Sequence, residues 1–223
     1  MNFTVPMDFN EMFDFLEKLR DNNNKEWMDA NRKWYRSIRD DFVLWLDSLD
    51  LELSHLHDNY YSTPGKRGIN RINNNLMYHP LKPVYKDHFG AVLDKAPNSA
   101  DFYIELGVDN CLVAGGFWRP GPRTLASIRQ GIDYNGEELV ELMDKPSFKK
   151  TFGGFYKDER LTRPPKGYFA DHPHLELLKN KTFAVEHRFP RADALSEGFR
   201  EKVLALYMEM LPFRNYLNLA ASV

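Results

Sequence analysis

Phe102-Tyr-Ile-Glu-Leu-Gly-Val-Asp-Asn-Cys-Leu-Val-Ala114 is the stretch on which the fold class turns. Phe102, Ile104 and Leu106 alternate with Tyr103 and Glu105, the period of two expected of a strand with one buried face. Gly107-Val-Asp-Asn110 carries turn-forming residues, and Cys111–Ala114 resumes an apolar run, so the segment reads as a β-hairpin. On either side of it the period changes to that of a helix.

Upstream, Phe9, Met12, Phe13, Leu16 and Leu19 recur at helical spacing, with Asp8 placed as N-cap and Glu11 three residues later. Asn22-Asn23-Asn24 stops this helix, because Asn tolerates left-handed geometry and its amide competes for backbone hydrogen bonds. A second helix is expected from Lys25 to Leu49, with Trp27, Trp34, Tyr35, Ile38, Phe42, Trp45 and Leu49 on its apolar face. The short connection makes the two helices antiparallel neighbours burying Phe13, Leu16, Trp34 and Ile38. Downstream, a helix is expected to open at Arg123 or Thr124, to be re-capped at Asn135, and to be followed by turns at Ser147–Phe152 and His174–Leu178. Phe183, Val185 and His187 alternate as a last strand, and Ser196 to Leu211 forms a closing helix that Pro212 kinks or ends. Helices at both ends of an antiparallel middle make the class α+β, a central sheet packed by the N-terminal hairpin and the C-terminal helices.

The chain has 223 residues, with 30 Lys and Arg against 32 Asp and Glu, and no composition break or repeat divides it. A single domain over 1–223 is expected, long enough to fold on its own core without disulfide or structural metal. The lone Cys111, in an apolar run, excludes a disulfide framework and reads as a buried thiol. No apolar run approaches a membrane span and no signal sequence opens the chain, so a cytoplasmic protein with no membrane partner is expected. Apart from Asp171, no nearby Cys or acidic cluster completes a ligand set for His55/His57 or His172/His174, so neither metal nor cofactor is expected. Gly115-Gly116 is followed by no Gly-Lys-Ser/Thr, which argues a close turn beside Trp118 rather than a nucleotide loop.

Charge is unevenly spread. Residues 1–60 hold 13 acids and 7 bases, whereas 61–90 hold Lys66, Arg67, Arg71, Lys82 and Lys86 against Asp87 alone. Two more stretches carry bases and no acids: 118–132 with Arg119, Arg123 and Arg129, and 160–170 with Arg160, Arg163 and Lys166.

Five spellings fall in or beside these basic stretches or cap the helices: Asn22-Asn-Asn-Lys-Glu-Trp27, Tyr85-Lys-Asp-His-Phe-Gly90, Gly115-Gly-Phe-Trp118, Ile128-Arg-Gln-Gly-Ile132, and Arg163-Pro-Pro-Lys-Gly-Tyr168 running into Asp171-His-Pro173. In that order, from Phe9 to about Leu217, the chain resembles the microbial family catalogued as domain of unknown function 2461. The resemblance implies a single intracellular domain of no established activity. One stretch departs from it. Where the family usually carries Arg-Asp-x-Arg-Phe-Ser-Lys-Asp-Lys, this chain has Asn74-Asn75-Leu76-Met77-Tyr78-His79-Pro80-Leu81-Lys82. If the lost charges carry the family's activity, this chain has lost or altered it.

The basic loops point first to binding of a phosphate- or carboxylate-bearing ligand, through Arg71, Lys82, Tyr85, Lys86, Gly115, Gly116, Trp118, Arg129, Arg163, Lys166, Asp171 and His172. At least three of Arg71, Lys86, Arg129 and Lys166 are expected near Gly115–Trp118, where small residues would admit a ligand. The plainer alternative pairs these bases with the acidic N-terminal helices. An enzyme acting on an anionic substrate would use the same cations, with Asp171 or His172 transferring the proton. A protein-interaction domain using its aromatic-rich helices is the third reading. Nucleic acid is not favoured at net charge −2, although Tyr78, Tyr85, Trp118 and Tyr168 could stack bases.

Overall fold

A computed structural model describes residues 7–158 and 160–222. Among them the order is α1 (Phe9–Asp21), α2 (Lys25–Ala30), α3 (Arg32–Leu56), α4 (Gly65–Gly68), β1 (His88–Leu93), β2 (Asp101–Gly107), β3 (Cys111–Phe117), α5 (Pro122–Asp144), α6 (Pro146–Phe152), α7 (Leu175–Leu178), β4 (Phe183–Phe189), α8 (Arg191–Ala194) and α9 (Phe199–Ala221). The four strands form one antiparallel sheet in the order β1-β2-β3-β4, so the class is α+β.

By contacts the chain divides into two compact units. The first is Met1–Lys95, Tyr103–Val113 and Arg188–Leu204; the second is Ala96–Phe102, Ala114–His187 and Ala205–Val223. Strands β2, β3 and β4 each run from one unit into the other.

In the first unit, Asp8 accepts from the Glu11 N–H at 3.1 Å and starts α1, whose Met12, Phe13, Phe15, Leu16 and Leu19 are buried. Asn22 ends it by bonding the Lys18 carbonyl through its side chain at 2.9 Å. Asn24 caps α2 by accepting from Trp27 N–H at 2.9 Å. The expected Lys25–Leu49 helix is two helices. Asn31 separates them with φ −103° and ψ 16°, its amide donating to the Trp27 carbonyl at 2.9 Å. Helix α3 then runs past Leu49 to Leu56, since Leu53 continues the buried stripe. Helices α1 and α2 both pack on α3, with Phe13, Leu16 and Ile38 buried. Trp34 is only half-buried: its indole N–H reaches the Glu11 carboxylate at 3.0 Å at the rim of the seam. Trp45 stacks on Phe199 at 5.8 Å, with Phe9 edge-on to both rings.

Strand β1 was not separable in the sequence, because Gly90 interrupts its pattern. A Cβ at Gly90 would sit 2.4 Å from the Tyr103 hydroxyl, so the glycine is what lets Tyr103 lie across the strand. The expected turn closes the next hairpin, with Gly107 N–H donating to the Asn110 carbonyl at 3.0 Å.

In the second unit, α5 opens with Pro122 directly after Gly121, a position that needs no N–H. At Asn135, where φ −147° and ψ 53° are not helical, it kinks into two helical segments, and the second starts where the re-cap at Asn135 is expected. Helix α9, by contrast, runs unbroken through Pro212, which loses one hydrogen bond at Met208, on the exposed side. The Arg214 guanidinium is 1% exposed and donates to the Ala100 carbonyl from Nε at 3.0 Å and Nη2 at 2.7 Å, over the Tyr207 ring.

Candidate anion-binding site

The basic segment of the first unit leaves α4 along β1, with Asn70 N–H bonded to the Gly90 carbonyl at 2.8 Å. It then turns out as a narrow two-stranded arm. Asn73 bridges Tyr85 in antiparallel fashion, and Asn74 N–H bonds the Val84 carbonyl at 3.0 Å. The Lys86 N–H bonds the Ile72 carbonyl at 2.8 Å. Asn23 fixes the base by accepting from Tyr85 N–H at 2.8 Å and donating to its carbonyl at 3.0 Å.

This arm brings Arg71, Lys82 and Lys86 into one electrostatic neighbourhood. Tyr85 is buried beneath them, and the half-buried Lys86 ammonium donates to the Arg71 carbonyl at 2.7 Å. Burial lowers the Lys86 pKa, Arg71 and Lys82 lower it further, and only Glu105 opposes them. Glu105 is itself engaged, accepting from the Tyr103 hydroxyl at 2.5 Å and lying 3.5 Å from His88 Nε2. Burial and Glu105 raise the Tyr103 pKa, so the phenol keeps its proton and donates. Among the described residues, no acid lies within ion-pair distance of Arg71, Lys82 or Lys86. Those three cations share few counter-charges.

The second unit gathers three of the motifs differently. Arg129, Asp133 and Glu137 recur every fourth residue on α5, and the chain from Tyr168 to Asn180 lies along that stripe. Arg129 donates to the Leu178 carbonyl at 2.9 Å and the Asn180 carbonyl at 3.1 Å, and burial lowers its pKa. His172 Nδ1 accepts the His174 N–H at 3.0 Å, which puts the ring proton on Nε2, 2.9 Å from Asp133. Both nitrogens of the His172 ring are thereby engaged within the second unit. His174 Nε2 lies 3.0 Å from Glu137, and its ring fills the space a Cβ at Gly136 would need, 2.4 Å away. A bond to its own backbone N–H, and then His174, lower the Glu137 pKa from the ordinary carboxylate value. Tyr168 meets His172 edge-on at 5.7 Å. This is a fastening of one loop to one helix.

Of the other expected residues, Arg163, Lys166 and Asp171 are exposed. Trp118 is 53% exposed, packed edge-on against Tyr156 and under Arg119, which pairs with Asp158 at 2.8 Å. The room that Gly115 and Gly116 leave is taken by the chain itself. A Cβ at Gly115 would meet Met210 Sδ at 2.2 Å, and one at Gly116, where φ is +120°, the Phe183 carbonyl at 2.2 Å.

Asn23, Tyr103, Glu105 and Asp133 escaped the sequence reading. Asn23 reads as a helix stop, and only the spacing of Asp133 one turn after Arg129 could have singled it out. Among the described residues, no three His, Cys, Asp or Glu side chains gather as a metal site, and the Cys111 thiol is buried with its pKa raised by desolvation.

No curated protein and no solved structure matches the chain significantly. A profile of conserved hypothetical proteins matches residues 11–216, nearly the whole chain and all of its recurrent motifs. With that coverage, the chain belongs to the family of conserved hypothetical proteins DUF2461.

Proposed function

We propose that the protein binds a phosphate- or carboxylate-bearing ligand on the arm that carries Arg71, Lys82 and Lys86. The observation behind this reading is that, among the described residues, these three cations of one arm have no acid in ion-pair distance, while Glu105, the one carboxylate that acts on Lys86, accepts from the Tyr103 hydroxyl. An anion would relieve their mutual repulsion, and the Arg71 fork offers a bidentate contact. A reducing cytoplasmic setting suits a chain whose lone thiol is buried.

An enzymatic reading keeps Asp171 and His172 as proton-transfer groups and adds Lys86, whose pKa burial, Arg71 and Lys82 lower. The test is thermal unfolding under titration with inorganic phosphate and with phosphorylated and carboxylated metabolites. Wild type gains stability with the binding anion; Arg71→Ala and Lys86→Gln lose that gain, and Arg163→Ala keeps it. An equal gain in wild type and in both arm variants overturns the assignment.

A further inference from the structure

We propose that the tip of the same arm is a wedge for the surface of an anionic lipid bilayer. Within residues 76–81, Leu76, Met77, Tyr78 and Leu81 are 36%, 80%, 73% and 99% exposed. Isolated apolar residues on a surface are ordinary, but a run of them on one protrusion marks an interaction site.

The tip is a built structure. His79 N–H bonds the Asn75 carbonyl at 3.0 Å, Lys82 N–H bonds the His79 carbonyl at 3.1 Å, and the Asn74 amide bonds the Pro83 carbonyl at 2.9 Å. These bonds hold the turn while the apolar side chains stay exposed, the reverse of what folding alone would select.

The charges behind the tip decide the occupant. Lys66, Arg67, Arg71, Lys82 and Lys86 flank it in residues 61–90, with Asp87 the one acid. An apolar tip this exposed cannot enclose a small molecule, and a protein partner would need a pocket shaped to receive it. A bilayer interface needs no such shape. Aliphatic side chains enter the acyl boundary, a tyrosine rests among the headgroups, and lysines and arginines meet anionic lipid. No helix among the described residues is long and apolar enough to cross a membrane, so the contact is peripheral. The acidic α1–α3 region, within a stretch of 13 acids and 7 bases, would be repelled by the same surface, which makes docking oriented and salt-sensitive.

The experiment is flotation of the full chain with vesicles of phosphatidylcholine alone and with phosphatidylglycerol added. Wild type floats with the anionic vesicles and far less with the neutral ones, and added salt releases it. Leu81→Ser and Met77→Ser each lower the partition coefficient roughly tenfold. Lys82→Gln lowers it about fivefold. Leu51→Ser, an exposed leucine on α3, leaves it unchanged. Leu81 carries no packing, so its variant folds as wild type and keeps the response to inorganic phosphate; loss of that response would count against the anion site and not against the wedge. Equal partition into neutral and anionic vesicles, or tip variants that float as wild type does, overturns the proposal. Tip-dependent self-association in sedimentation velocity, or tip-dependent oligonucleotide binding, without flotation assigns the tip elsewhere and overturns it too.

Discussion

The Asn23 carboxamide pairs with Tyr85 as a neighbouring strand would, taking its N–H at 2.8 Å and its carbonyl at 3.0 Å. One side chain from the α1–α2 turn thereby sets the position of the arm on which the cations stand. Both Tyr85 backbone groups sit at a residue only 4% exposed, so water is a poor substitute.

Asn23→Ala is expected to cost about 1–3 kcal/mol in urea unfolding, because it strands a donor and an acceptor together. Asn23→Asp should cost at least as much near neutral pH, since a carboxylate accepts from the N–H but faces the carbonyl with like polarity. An Ala variant as stable as wild type would mean that the arm holds its place without this clamp.

Gly115 carries the second expectation. Its missing Cβ faces Met210 Sδ at 2.2 Å and the Asp101 carbonyl at 2.9 Å. The thioether can swing aside; the carbonyl cannot. Gly115→Ala should therefore destabilise by about 1–3 kcal/mol. A Met210→Ala background should recover only part of the loss, measured as a double-mutant cycle. Full recovery would show that only the flexible neighbour matters.

Local patterns carried much of the fold and little of the site. The Phe102–Leu106 alternation, the Asp8 cap and the helix stop at Asn22 are local signals, and they appear where the sequence puts them. Strand β1 did not show itself, because a glycine needed for Tyr103 breaks its pattern, and Asn31 looked like one polar residue among others in a long helix. The basic loops were visible as charge, but their partners were not. Arg129 meets carbonyls 49 and 51 residues away, and His172 meets Asp133 at a separation of 39. Such pairings depend on how the chain returns, which no local period encodes. Arg71 and Lys86 are the opposite case: the Asn73–Tyr85 bridge brings two nearby positions together on one short arm.

Arg129 gives the third expectation. Two of its nitrogens hold the Leu178 and Asn180 carbonyls, so its removal should loosen the chain there. Arg129→Ala should lower stability by about 2–4 kcal/mol, as charge-assisted bonds to carbonyls are lost from a half-buried site. Arg129→Lys should recover less than half, since one ammonium cannot reproduce the fork. Both variants should keep the phosphate-induced rise in melting temperature. Loss of that rise in a folded Arg129→Ala protein would make Arg129 a ligand contact as well.

The last expectation concerns Lys86 and pH. Burial, Arg71 and Lys82 lower its pKa in the folded state below the ordinary lysine value. Between those two pKa values the unfolded chain holds the extra proton, so stability rises with pH as Lys86 sheds its proton in the fold first. The gain is complete once pH passes the unfolded lysine value of about 10.4 and is absent well below the folded one. Lys86→Met lacks the ammonium and should lack this slope. The stability of wild type minus that of Lys86→Met, measured in urea from pH ~7 to pH ~10, should therefore climb with pH. Subtracting the variant removes the other groups that titrate in the same range. Saturating phosphate should flatten the climb, because a bound anion favours the charged lysine and returns its pKa toward normal. A difference that is level with pH would show that the ammonium is no more strained in the fold than in water. A climb that phosphate leaves untouched would place the anion somewhere other than beside Lys86.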